Sequence, residues 1–277
     1  MTHLNETQAE PPEPDLSHEK GDSLASFELL PGALDKGLVL ICDHASNYLP
    51  ASYATLGLSS CEFERHIAYD IGAAQVTRQM SALLGVPAVL SNFSRLLIDP
   101  NRAMDDPTLI MQLSDGAVIP GNACISQRER EQRLESYYQP YHQAIDQVLE
   151  ECIRTDHPPA LVSIHSFTQE WHGTLRPWEA AILWDHDERL VKPLLDCLRR
   201  ETDFNIGDNE PYSGDLYGDT MHQHGTSRGL AHALVEIRQD QIRDADGQQE
   251  WAGRLADILG RILADADLAA ELGIIRK

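Results

Sequence analysis

The chain is short of cysteine, short of basic residues and without long apolar runs, and each shortage closes off a class of protein. Five cysteines (Cys42, Cys61, Cys124, Cys152, Cys197) are odd in number, widely spaced and never arranged as CxxC. That speaks for a reducing compartment and against a disulfide framework or a cysteine zinc knot. Lys and Arg number 22 against 44 Asp and Glu, a formal net charge of -22. Such a surface repels phosphate backbones and anionic lipid, so neither nucleic acid nor a membrane is expected as a partner, and the charge is read as serving solubility. No apolar run approaches membrane-spanning length, and the N-terminus shows no basic-then-apolar leader; a cytoplasmic protein is the expectation. Walker A, GxGxxG and HExxH sequences are all missing, and no GxSxG elbow accompanies Asp43-His44-Ala45-Ser46. Nucleotide binding and the serine-hydrolase elbow therefore lack support, although serines follow closely on His44 and His165. No repeat and no Pro/Gly-rich linker divides the chain after residue 36.

What is present fits one α/β domain. The chain has 277 residues and an apolar share of 42%, enough for a sizeable core. Residues 1–35 are polar, acidic and proline-bearing (Glu10-Pro11-Pro12-Glu13-Pro14) and read as a flexible tail, whose Phe27-Glu28-Leu29-Leu30 segment docks on the domain formed by residues 36–277. Leu38-Val39-Leu40-Ile41-Cys42 is a continuous apolar run that ends on Asp43 and His44, the pattern of a fully buried parallel strand. Further strands are predicted at 88–90, 96–98, 160–164, 180–184 and 233–237. Helices are predicted from Ser59 to about Leu84, from Ser126 with a break at Pro140, over 187–201 and over 247–271. Strands alternating with helices imply a central, mostly parallel mixed sheet flanked by helices.

Polar residues cluster at the predicted strand ends: Asp43 and His44, Asn101 and Arg102, His165, Glu236 and Arg238. A parallel sheet gathers such ends along one edge, where ligands bind. The residue types suit metal-assisted hydrolysis, in which imidazoles and a carboxylate hold zinc with one position open and a further carboxylate moves protons. His44 and His165 are the natural ligands, although a hydrogen-bonded strand-end histidine accounts equally for either one alone. The third ligand is open between Asp70, His66, Asn47 and Asp43, the first two sharing a face of the predicted 59–84 helix. Glu236 lies inside an apolar run, where a carboxylate is costly unless paired or functional. An ion pair with Arg238 is the competing account. Arginines suit a substrate carboxylate through two-pronged hydrogen bonds.

Several blocks in order resemble the N-formylglutamate amidohydrolase family: Cys42-Asp43-His44-Ala45-Ser46-Asn47 with Pro50, His66 through Ala73, Ser94-Arg95 with Asp99-Pro100-Asn101-Arg102, Ile164-His165-Ser166-Phe167, and Gly229-Leu230 with Glu236 through Asp240. The resemblance implies a fold similar to zinc carboxypeptidases and aspartoacylases. It also implies hydrolysis of the amide bond of a small N-formyl or N-acyl amino acid such as N-formylglutamate. It implies zinc held by His44, Asp70 and His165, Glu236 as the catalytic base, and Arg95 as an anion or oxyanion contact. Substrate is expected on Asn101, Arg102 and Arg238, and on His224 of the His222-Gln223-His224 rim loop. Tyr212-Ser213-Gly214 and Arg176-Pro177-Trp178 also match and are expected to line the pocket. One departure stands out: Asn47 occupies the place where the wider carboxypeptidase-like group carries a ligating Glu. The alternatives are a peptidase or peptide amidase acting on a larger substrate, and a binding protein that keeps the pocket without the chemistry.

Overall fold

The computed structural model describes residues 25–274. Most of the expected tail therefore lies outside the described residues, and the rest of it is not loose: Phe27–Leu30 is a sheet strand. Seven strands form the central sheet: β1 (Phe27–Leu30), β2 (Leu38–Cys42), β3 (Ala88–Ser91), β4 (Ala160–Phe167), β5 (Ala180–Leu183), β6 (Ile206–Asp208) and β7 (His232–Arg238). Their order across the sheet is β1-β3-β2-β4-β7-β5-β6. The neighbours β3/β2, β2/β4, β4/β7 and β5/β6 run parallel, and β1 on β3 and β5 on β7 run antiparallel. This is a single mixed α/β domain with a mostly parallel sheet.

The apolar run at 38–42 explains itself once both faces of β2 are followed. Leu38, Leu40 and Cys42 enter one core cluster and Val39 and Ile41 the other, because successive side chains point to opposite faces. The first cluster is closed by α1 (Ala73–Leu84), with α4 (Glu188–Glu201) and α6 (Ala245–Ala264) further along the chain. The second is closed by α2 (Gln127–Arg133) leading into α3 (Gln139–Arg154), whose Tyr141, Ile145, Val148 and Leu149 face the sheet. Pro140 cannot donate to the preceding turn, and the two helices are joined by a π-helical turn at Leu134–Tyr138 that places Pro140 at the start of α3. A short helix α5 (Thr220–His224) lies beside the carboxyl end of the sheet, and α7 (Ala266–Glu271) closes the described chain.

Three sequence expectations need correction. The predicted helix from Ser59 is a 3-10 turn (Ser60–Glu64), then a loop through His66 and Asp70, and only then α1. Ser59 makes no side-chain cap, and Glu62 pairs with Arg65 instead. Ile67 and Ala68 are buried in a small cluster under the loop, so the apolar spacing is satisfied without helix. Leu96-Leu97-Ile98 is likewise buried but forms a turn, with the Leu97 amide bonded to the Ser94 carbonyl. The last helix is two, parted at Asp265, whose side chain caps the second. All five cysteines are free, and among the described residues no helix is long and apolar enough to cross a membrane.

Candidate active site

The site forms where β2, β4 and β7 end. The chain leaves β2 directly into Asp43 and His44. The Asp70 amide donates to the His44 carbonyl at 2.9 Å, which brings the 65–71 loop alongside. Ser94 and Arg95 tie that loop down through hydrogen bonds to the Ala68 carbonyl. Gly72 then turns the chain into α1 at φ 84°, and any Cβ there would stand 2.2 Å from the Ile242 carbonyl oxygen. His165 on β4 pairs in register with Glu236 on β7.

One donor atom each from His44, Asp70 and His165 lies within 4.8 Å of the other two, and all three residues are buried. Asp70 Oδ2 stands 2.8 Å from His165 Nδ1 and 3.4 Å from His44 Nδ1. The far nitrogen of each ring rests on a second buried carboxylate: His44 Nε2 on Asp99 at 2.7 Å and His165 Nε2 on Asp43 at 2.9 Å. A proton on each Nε2 would serve those contacts and turn both Nδ1 atoms, which face Asp70, toward a shared metal, the outer arrangement that metal-binding histidines use. Asp43 also accepts from Tyr141, Ser163 and Thr220, so both its oxygens are committed behind the cluster.

Burial pushes these carboxyls upward. For Asp43 and Asp70 the two histidines outweigh it, and for Asp99 Arg95 and His44 do, so all three lie below the usual carboxylate range. Burial pulls His165 down, but its bonds to Asp43 and Asp70 win and hold its pKa well above the ordinary value. Glu236 is different. Its Oε2 is buried and has no hydrogen-bond partner among the described residues, and burial, against the pull of His165, raises its pKa to about 7. Two imidazoles and a carboxylate with one side open suit a divalent metal such as zinc. An orphaned carboxylate oxygen beside them is costly unless a ligand or water meets it. The residues present therefore fit the metal.

The cluster opens into a cavity of about 420 Å³ whose wall includes Arg95, Asn101, Arg102 and Glu236. Arg95 donates through Nε and Nη2 to Asp99 and stands 3.6 Å from Asp70 through Nη1. Asn101 Oδ1 accepts from the Thr220 amide at 3.0 Å. Arg102 donates to the Asn101 carbonyl and has no carboxylate partner among the described residues.

The model of the family described as N-formylglutamate amidohydrolase matches residues 36–243 of this chain. The chain belongs to that family. It is accordingly a hydrolase of amide bonds. The gene product Atu2144 from Agrobacterium tumefaciens is 31% identical, with a TM-score of 0.81 over 87% of this chain and 95% of its own. N-formylglutamate amidohydrolase from Ralstonia eutropha shares the fold at 20% identity and a TM-score of 0.58, over 87% of this chain and 98% of its own. No curated protein matches. Every residue of the amidohydrolase cavity falls inside the matched segment, whereas β1 and α6 fall outside it.

The structure sorts the sequence candidates. It brings together His44, Asp70, His165, Glu236, Arg95, Asn101 and Arg102. Of the other possible ligands, Asn47 is spent on the Phe63 carbonyl, and His66 faces Asp115 at 3.5 Å and the Trp171 ring. Two expected substrate contacts lie elsewhere. Arg238 does not line the cavity and does not pair with Glu236; it is held by Asp240, Glu179 and the carbonyls of Arg176 and Trp178. His224 faces away into a neighbouring hollow, bonded to His142 at 2.8 Å and Asp146 at 2.9 Å. The cause is α5, which Asp219 caps so that Thr220 meets Asp43 while His224 turns toward α3. Of the late-chain blocks, Tyr212, Ser213 and Gly214 line the cavity, and Arg176 stands behind Tyr212, donating to its hydroxyl. Asp99 was visible only as the polar end of a block, and Asp219 and Trp171 carried no pattern that marked them.

Proposed function

We propose that the protein is a metal-dependent amidohydrolase that cleaves a small N-acylated amino acid into a carboxylic acid and the free amino acid. His44, Asp70 and His165 hold the ion, zinc or a similar divalent metal. When bound, it supplies Lewis-acid polarisation of the amide carbonyl and a lowered pKa for water. Asp43 and Asp99 keep the imidazoles aimed. Arg102 and the Asn101 side chain bind the substrate carboxylate, which sets the acyl carbon over the cluster. Glu236 takes the proton of the attacking water as its oxygen adds to the acyl carbon, then gives a proton to the nitrogen as the C–N bond breaks. Arg95 fixes Asp99 and presents the rest of its guanidinium toward developing negative charge.

The observation that carries this reading is the convergence of three donor atoms beside the orphaned Glu236 oxygen. The cavity, about 420 Å³, is of small-molecule size and favours this over a peptide substrate. The test is a panel of N-formyl and N-acetyl amino acids assayed with and without chelator. Hydrolysis that chelator abolishes and zinc restores is expected; chelator-indifferent hydrolysis, or none with zinc supplied, overturns the reading.

A further inference from the structure

The walls of the cavity say more about the substrate than the family does. We propose that this site selects N-acyl amino acids with a single carboxylate and a bulky apolar or aromatic side chain, and that it discriminates against the second carboxylate of a glutamate. The proposal rests on the amidohydrolase reading above.

The charges come first. Two guanidiniums line the cavity. Arg95 is already engaged by Asp99 and Asp70. Among the described lining residues, Arg102 is therefore the one guanidinium not held in an ion pair, enough for one carboxylate. His44 and His165 belong to the cluster, and His66 is pushed toward its neutral form by burial. Arg176 does not line the cavity. It is walled off behind Phe167, Trp171 and Tyr212, with its donors on Thr168 and the Tyr212 hydroxyl. Asp70, Asp219 and Glu236 in the same wall bring no cation either. A glutamate side chain placed here would surrender its water without gaining a cation.

The remaining surface makes the complementary statement. Ile67, Met111, Leu183 and Leu216 line the cavity together with Trp171 and Tyr212. Two small hairpins reach the mouth, through Ser114 in Leu113–Val118 and through Trp171 in Glu170–Leu175. Among the lining side chains Trp171, Tyr212 and Leu216 are 36%, 44% and 38% exposed. Three exposed large apolar side chains of this strongly acidic protein thus line one cavity, a surface suited to an apolar group.

The experiment compares kcat/KM of the zinc-loaded protein for N-formyl-L-phenylalanine, N-formyl-L-leucine and N-formyl-L-glutamate. The apolar substrates should lead by at least about tenfold, mostly through KM. Trp171→Ala should bring the phenylalanine-to-glutamate ratio toward unity. A glutamate substrate that matches or exceeds the apolar ones overturns the proposal. If no N-acyl substrate is turned over, the amidohydrolase reading fails separately, and calorimetric titration with free L-phenylalanine and L-glutamate then decides the side-chain preference. Tighter phenylalanine binding supports it, and equal or tighter glutamate binding overturns it.

Discussion

Asp99 offers a way to test the architecture of the site without touching a donor atom of the cluster or the cavity wall. It is fully buried, and its two oxygens serve four donors. Oδ1 accepts from His44 Nε2 at 2.7 Å and the Asn101 amide at 2.9 Å, and Oδ2 from Arg95 Nε at 3.2 Å and Nη2 at 2.7 Å. Asp99→Asn keeps the shape but turns one acceptor into a donating NH2 group. Neither orientation of the amide works. With NH2 toward Arg95, two guanidinium N–H groups meet a donor they cannot accept from. With NH2 toward His44, the Asn101 amide loses its acceptor, and His44 adapts only by moving its proton to Nδ1, the nitrogen that faces Asp70. Both cases strip Arg95 of its main counter-charge. Breaking one side of a buried ion pair costs about 3–5 kcal/mol, a large share of the roughly 5–15 kcal/mol that holds a domain together. Loss of an outer partner of a metal-binding histidine weakens metal affinity about 10–100-fold. The assay is urea unfolding of the metal-free wild type and variant at pH 7, followed by zinc titration of the folded forms. An unchanged urea midpoint together with unchanged zinc affinity would refute the reasoning, because Asp99 would then be orienting nothing.

Glu236→Gln should lower kcat by about 10²–10⁴ while zinc stays bound; loss of zinc would instead make Glu236 a ligand. Arg102→Ala should raise KM for substrates with a free carboxylate and leave kcat and the turnover of the corresponding N-acyl amino amides little changed, as expected for a binding contact. Asp219 gives a pH signature, since burial raises its carboxyl to about 7. The folded chain keeps that proton while the unfolded chain releases it near about 3.9, so Asp219 subtracts stability progressively as pH rises from about 4 to about 7. Asp219→Asn retains the cap on the His222 amide and removes the subtraction. Its stability advantage in urea should grow from pH 5 to pH 8 and reach roughly 2–4 kcal/mol; an advantage that does not vary with pH would count against it.

The central sheet was legible because its strands are buried on both faces, so their sequences are apolar without interruption and their polar ends are conspicuous. That is why His44, His165 and Glu236 stand out in the sequence. The loop bearing Asp70 was not legible as a loop. Phe63, Ile67 and Ile71 repeat at helical spacing, yet what fixes the chain there is tertiary: the His44 carbonyl that takes the Asp70 amide and the close approach of Gly72 to Ile242. Leu96-Leu97-Ile98 misled for a related reason, since burial asks for apolar residues whether or not the backbone is extended. The outer carboxylates Asp43 and Asp99 acquire their roles only through partners up to 177 residues away in the chain, as with Thr220. His224 shows the reverse case. Nothing in an HxH spacing tells which side of α5 will face the cavity, and here it is the side bearing Asp219 and Thr220 that meets the site.

The central claim is that His44, Asp70 and His165 form one metal site on which hydrolysis depends. Its most direct test is a zinc titration of the chelator-treated protein, with amide hydrolysis measured at every addition. The expected result is activity that rises linearly and breaks at one zinc per chain, with both the tight binding and the activity lost in His165→Ala. Activity indifferent to zinc, or tight binding that survives His165→Ala, would contradict it.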